Sequence, residues 1–359
     1  MTAHRKDEHV QLAHAQYAPG NRTAPPGAPP PASQFDEVHF VHHALAGTDR
    51  EKVSLETRFA GLHWPVPLYI NAMTGGSAKT GEINRDLAIA ARETGLPIAT
   101  GSMSPYLKDP GTAPTFTPVR REHPDGFVLA NLNATATPEQ ARRAVGLLRA
   151  DALQIHLNTV QETVMPEGDR SFGHWASGIE RIVSAVEVPV IVKEVGFGLS
   201  GRTVRELASL GVRIADVAGS GGTDFARIEN GRRSRPDYAY LEGWGLSTPA
   251  ALLDARGCGL PLLASGGVRH PLDVARALAL GAGAVGASGP YLTTLLDGGV
   301  DALVRHITTW LDQLTALMTL LGAHSPAELA DCDVLLSGSL REFRLDRGLT
   351  TAAAKGVTV

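Results

Sequence analysis

Eight short apolar runs recur at intervals of about 20 to 50 residues, separated by Ala/Leu/Arg-rich stretches of helical character, and this alternation restricts the possible folds more than any other feature. The runs are Val66 to Asn71, Leu96 to Thr100, Phe127 to Asn131, Ala152 to His156, Val188 to Lys193, Ile214 to Ala218, Pro261 to Ser265 and Ala284 to Ala287. Strands buried on both faces read as continuous apolar segments, and parallel neighbours need a crossover between them, usually a helix. Eight such units over roughly 260 residues fit an α/β chain folded as a (β/α)8 TIM barrel. Thr137-Pro138-Glu139-Gln140 supplies an N-cap, a first-turn proline and an acidic residue ahead of Ala141 to Leu148, and Thr203 to Leu210 stops at Gly211. The crossovers are therefore predicted as helices. The longest gap, Gly219 to Leu260, is expected to form a mobile excursion over the barrel mouth, and Leu303 to Leu321 an amphipathic helix that closes the barrel.

Residues 1–18 form a charged, helix-prone segment, and the proline density at 19–34 excludes regular helix and reads as a linker. The barrel is expected over 35–325 and a C-terminal extension over 326–359, with Thr350 to Val359 as a frayed, disordered tail. Thirty-three basic residues against 37 acidic ones give a net charge of −4, which argues against nucleic acid or an anionic membrane as partner and leaves a small molecule. Cys258 and Cys332 match neither a disulfide framework nor a metal-binding spacing. With no run approaching the ~18 apolar residues of a membrane span, a soluble, cytoplasmic protein is expected.

Parallel barrels carry their chemistry at strand C-termini. Strand seven runs into Gly266-Gly267-Val268-Arg269 and strand eight into Ser288-Gly289, loops that often hold a phosphate because glycines let backbone N–H groups approach its oxygens. Ala72-Met73-Thr74 after strand one, Ser102 after strand two, Asn131 at strand three and Thr223 after strand six offer small polar edges, although each alone is equally compatible with a plain turn. Lys193 ends a Val-Ile-Val strand, where a buried ammonium needs an anionic or electron-rich partner. His156 and Asn158 share one strand face, with Gln161 and Glu162 in the loop beyond; Glu162 as a lone carboxylate suits Mg2+. Arg5, Lys6 and His9 place three possible phosphate donors within five residues, a cluster that on its own is usually a solvated face.

Taken in order, Arg5-Lys6-x-x-His9, Ala72-Met73-Thr74-Gly75-Gly76, His156-x-Asn158-x-x-Gln161-Glu162, Lys193-Glu194-Val195-Gly196, Gly221-Gly222-Thr223 and Gly266-Gly267-Val268-Arg269 resemble the type 2 isopentenyl-diphosphate isomerases. The resemblance implies an FMN-dependent (β/α)8 barrel that uses reduced flavin and Mg2+ to interconvert isopentenyl and dimethylallyl diphosphate, with NADPH as reductant, in a homo-oligomer of four or eight copies. It implies that Arg5, Lys6 and His9 grip the diphosphate, that Glu162 holds the metal, and that His156, Asn158 and Gln161 line the prenyl pocket, with His156 and Gln161 taking part in catalysis. FMN would rest on Ala72, Met73, Thr74, Ser102, Asn131, Lys193, Thr223, Gly267, Val268, Arg269, Ser288 and Gly289. The chain departs from the family pattern at Met103-Ser104, where a Gln-Arg pair is expected, and at Ala218, where some members have serine.

Other chemistries are possible on such a barrel. A flavin-dependent 2-hydroxy-acid oxidase would need a base histidine near strand seven, for which His270 is a partial match, and an inosinate-type dehydrogenase would need a nucleophilic cysteine after strand six, whereas Cys258 precedes strand seven. A non-catalytic sensor of phosphate ligands would have no use for His156, Gln161 and Glu162.

Overall fold

The computed structural model describes residues 2–17 and 33–349. Of the expected linker at 19–34, only Ser33 and Gln34 fall within it, and the expected tail from Thr350 lies outside. Eight parallel strands close into a barrel: Leu68–Ile70, Ile98–Ala99, Val128–Asn133, Ala152–Leu157, Val190–Glu194, Ile214–Asp216, Leu262–Ser265 and Ala282–Ala287, here strands one to eight. Each of the eight apolar runs supplies one strand in the expected order.

Alternate side chains point inward, so each strand contributes to stacked internal layers. The lower layer is apolar, built from Tyr69, Ala99, Leu129, Ala152, Ile191, Ile214, Leu263 and Ala284. Beneath it a hairpin of Thr57–Phe59 and Leu62–Trp64 seals the barrel floor, with the Trp64 ring packed on Phe59, Tyr69 and Phe127 at centroid distances of 4.9, 5.5 and 5.3 Å. Burying side chains of this size contributes about 1.5–3 kcal/mol each. Two residues further along most strands the interior turns polar, and that change of character creates the floor of a site.

The crossover after strand three is the helix Pro138–Leu148, with the Thr137 capping box read from the sequence. The next one predicted, Thr203 to Leu210, forms at Gly201–Ser209, because Ser200 caps it two residues earlier than the periodicity indicates. Gly219 to Leu260 does reach the barrel mouth, and it carries more regular structure than its composition suggests: a helix, Phe225–Gly231, a short 3-10 turn, Ala239–Leu241, and the crossover helix Thr248–Ala255. Local capping explains this, since Asp224 accepts from the N–H groups of Ala226 and Arg227 and Ser247 from that of Ala250.

The closing helix spans Gly289–Leu321 with a break at Gly299, whose φ is 75°. Beyond residue 325 the chain returns to its own beginning. Val334–Leu336 pairs antiparallel with Val38–Phe40, the Leu340 N–H donates to Glu37, and Arg347 pairs with Asp254. Arg120, almost fully buried, ties the outer loops, donating to the carbonyls of Pro124, Gly126, Leu148 and Arg149 and to Asp151 Oδ2. Among the described residues no helix is long and apolar enough to cross a membrane.

Candidate active site

The strand C-termini surround a cavity of about 410 Å³ whose floor is the polar inner layer and whose roof is the N-terminal helix Thr2–Tyr17. Asn71, Asn131, Gln154, Asp216 and Ser265 form a buried, connected network in that floor. Asp216 accepts from Tyr69 Oη at 2.6 Å, Ser265 Oγ at 2.8 Å and Asn71 Nδ2 at 3.1 Å. Gln154 Nε2 donates to Asn71 Oδ1, Asn131 Nδ2 donates to Gln154 Oε1, and Asn131 Oδ1 meets His156 Nδ1 at 2.9 Å. Gln154 and Asp216 were absent from the expected site, yet both occupy inward positions of a period-2 pattern; Gln154 lies two residues before His156.

Burial, followed by the nearby Lys193 and Lys6 charges, lowers His156 to about 3, so the imidazole is neutral at physiological pH. Burial also lowers Lys193, against the pull of Asp216 and Glu194. Its Nζ donates to the Glu194 carbonyl, and among the described residues no carboxylate lies within ion-pair distance. Glu194 itself points away from the cavity and accepts from the N–H groups of Val195, Gly196 and Phe197, which shapes the turn beyond strand five.

Side-chain ties hold the roof helix to loops around the mouth. Ser77 Oγ donates to Asp7 at 2.6 Å, and Gln16 both donates to the Asp224 carbonyl and accepts from the Asp224 N–H. Arg5, Lys6 and His9 thereby face the cavity. Burial, and next the Arg5 charge, lowers Lys6 to about 8. Arg5 pairs with Glu167 at 3.2 Å and His9 Nε2 lies 3.2 Å from Glu229 Oε1. Glu229 also accepts from Gln161 Nε2 at 2.9 Å and pairs with Arg232, which in turn pairs with Glu8 and Glu167. Burial raises Glu229, but His9, Gln161 and Arg232 outweigh it and leave its pKa below the usual value. Sequence reasoning missed Glu229; only the packing of its helix brings it to Gln161.

Asn158 Nδ2 donates to Glu162 Oε1 at 3.0 Å and to Gln161 Oε1 at 3.2 Å, while the Asp169 N–H donates to Glu162 Oε2. Asn158 Oδ1 is buried on this wall without a partner among the described residues. A carboxylate beside an orphaned amide oxygen is a donor set that suits a hard divalent ion such as Mg2+. A separate group, Asp36, His270 and Asp273, brings metal-type ligands together. Arg269 and Arg276 already neutralise those carboxylates, and hydrogen bonding from Arg269 first lowers Asp36 to about 2.

On the opposite rim, Gly266 and Gly267 adopt φ of 89° and 72°, and a Cβ at Gly222 would stand 2.8 Å from Gly267 N, so backbones approach as only glycine allows. The Tyr17 ring packs on Gly289 at the start of the closing helix. These loops, a helix N-terminus and the Lys193 ammonium under the mouth fit a phosphate joined to an electron-rich ring, as in FMN. Ala72, Met73, Thr74, Ser102, Asn131, Lys193, Thr223, Gly267, Val268, Ser288 and Gly289 all line the cavity.

Arg269 does not. Its guanidinium turns away to Asp36 and Asp273, which makes it a strut behind the glycine loop rather than a ligand within it. Met103 is fully buried, and Ser104 faces the cavity with its hydroxyl 3.0 Å from that of Ser102. His270 caps the helix Pro271–Ala279 outside the cavity, and Cys258 is buried beside Arg205, so neither the oxidase's base nor the dehydrogenase's nucleophile is in place.

The fold and site together define an FMN-dependent (β/α)8 enzyme. The family described as FMN-dependent dehydrogenase matches residues 120–335. The chain is 65% identical to an isopentenyl-diphosphate delta-isomerase of Kitasatospora griseola over 97% of its length and 93% of the relative's, and 46% identical to one of Lacticaseibacillus paracasei, covering 97% of each. It belongs to the type 2, FMN-dependent isopentenyl-diphosphate delta-isomerase family. Among solved structures, a flavocytochrome b2 mutant with pyruvate bound aligns at a TM-score of 0.62 and 21% identity over 82% of this chain and 75% of that one. A mandelate oxidase mutant with an FMN adduct aligns at 0.61 and 16% identity over 92% of both chains. At that distance the likeness concerns the barrel alone.

Proposed function

We propose that the chain interconverts isopentenyl diphosphate and dimethylallyl diphosphate by a 1,3-proton shift, with reduced FMN and Mg2+, in isoprenoid biosynthesis. The observation that carries the reading is a single mouth with two anion seats of different construction. One is the glycine rim of strands six to eight; the other is the Arg5, Lys6 and His9 roof facing Glu162 and the orphaned Asn158 oxygen. The first suits the single phosphate of a cofactor and the second a metal-bound diphosphate.

Bound in reduced form, the flavin would supply an electron-rich ring able to give and take protons beside the alkene. The protein's share is positioning. Arg5, Lys6 and His9 neutralise the diphosphate, and Glu162 with Asn158 offers oxygens to the metal. Gln161, held between Asn158 and Glu229, presents a fixed amide to the prenyl chain, and His156 contributes a neutral ring. The roof helix excludes water, which would otherwise capture a tertiary, cation-like centre.

NADPH as electron source, a tetramer or octamer and a cytoplasmic setting complete the reading. Anaerobic incubation of the purified protein with FMN, dithionite, Mg2+ and isopentenyl diphosphate, followed by proton NMR, should reveal the two methyl signals of the dimethylallyl isomer. Absence of product, or oxygen uptake with lactate, would end the reading.

A further inference from the structure

The amide chain across the barrel floor has a direction. A carboxylate has no hydrogen to give, so Asn71 must turn its Nδ2 toward Asp216. The Ala72 N–H donates to Asn71 Oδ1 at 2.8 Å and independently fixes the same orientation. Asn71 Oδ1 can then only accept, and Gln154 meets it with Nε2 at 3.2 Å. That leaves Gln154 Oε1 to accept from Asn131 Nδ2 at 2.7 Å, and so Asn131 Oδ1 faces His156 Nδ1 at 2.9 Å. All four residues of the chain are buried, and each amide is held by its protein partners.

We infer that Asp216, acting through Asn71, Gln154 and Asn131, locks His156 in the tautomer with its hydrogen on Nδ1, so that His156 meets the bound molecules through an Nε2 lone pair. Asp216, Asn71 and Gln154 are positioning residues in this scheme. Histidine free in water favours hydrogen on Nε2, and the bond made by one ring nitrogen decides the role of the other. In that tautomer His156 presents an acceptor, not a donor, toward the cavity. The inference deepens the proposed function, in that it assigns a role within the same site, but its readout needs no turnover.

The experiment uses the FMN-loaded protein with its histidines labelled with 15N. His156 is identified among the 13 histidines as the signal missing from His156→Gln. Long-range 15N–1H couplings should show hydrogen on Nδ1 and none on Nε2; hydrogen on Nε2 would overturn the inference, and this measurement requires no variant of Asp216, Asn71, Gln154 or Asn131. Gln154→Met removes the anchor of the Asn131 amide, so both tautomers should become populated, while Gln154→Glu still accepts from Asn131 Nδ2 and should preserve the Nδ1–H form. If Gln154→Met binds FMN and keeps the wild-type tautomer, the relay from Asp216 is refuted. If the tautomer behaves as expected but no dimethylallyl product forms, the isomerase reading fails alone.

Discussion

Glu229→Gln tests whether the roof helix is held down by a buried charge. The Glu229 side chain is fully buried, with one oxygen facing Gln161 and His9 and the other facing Arg232. Glutamine can keep its oxygen toward Gln161, but its amide nitrogen then faces the Arg232 guanidinium, donor against donor. Breaking a buried pair by removing one partner costs about 3–5 kcal/mol. Arg232 retains Glu8 and Glu167 and is itself slightly exposed, so the loss is reduced to about 2 kcal/mol, near the value of one charge-assisted hydrogen bond. Because Glu8 and His9 belong to the roof helix, that loss falls on its docking and amounts to roughly 30-fold in the closing equilibrium. Hydrogen exchange should quicken by that factor over residues 5–17 while the barrel strands keep their protection. The pH dependence has a definite sign. The folded pKa of Glu229 lies below its ordinary 4.5, so its stabilisation is complete above about pH 4.5 and is lost as the pH falls through the lowered value. Unchanged exchange over 5–17, or a variant that loosens the whole barrel equally, would refute the reasoning.

Gly222→Ala brings a Cβ to 2.8 Å from Gly267 N, a backbone atom that cannot swing aside, so FMN affinity by fluorescence quenching should fall at least about tenfold with little change in circular dichroism. Glu162→Gln keeps the shape of the side chain and removes its charge; activity should then require about tenfold more Mg2+ or worse, while FMN binding stays at the wild-type level in a titration. Arg120→Met leaves the carbonyls of Pro124, Gly126, Leu148 and Arg149 without their guanidinium donor, while the partly exposed Asp151 keeps the Val128 N–H, and urea unfolding should register a loss of about 2 kcal/mol or more.

The barrel was legible because buried parallel strands leave continuous apolar runs, and all eight runs became strands. The edges of the site were legible for a similar reason: glycine loops and polar strand ends such as Lys193 and His156 break a local rule that burial otherwise enforces. What was hidden depends on distance in sequence. Glu229 reaches Gln161 across 68 residues only because its helix packs beside the strand-four loop, and the ion pair of Arg269 with Asp36 spans 233 residues. A motif that contains Arg269 cannot show that its guanidinium points the other way. Capping also outweighed composition in the glycine-rich gap after strand six, where Asp224 and Ser247 start helices that periodicity alone did not reveal.

The sealed floor has a consequence for traffic through the molecule. Among the described residues, Trp64 and its hairpin stopper the lower end and an apolar layer fills the barrel above them, so guests enter at the strand C-termini. If the proposed function holds, a flavin against Lys193 would lie deeper than a diphosphate beneath Arg5 and Lys6, so the two would queue: the deeper guest would arrive first and depart last. On that reading product would be exchanged many times while the coenzyme stayed in place, and the flavin would be retained by geometry as much as by affinity.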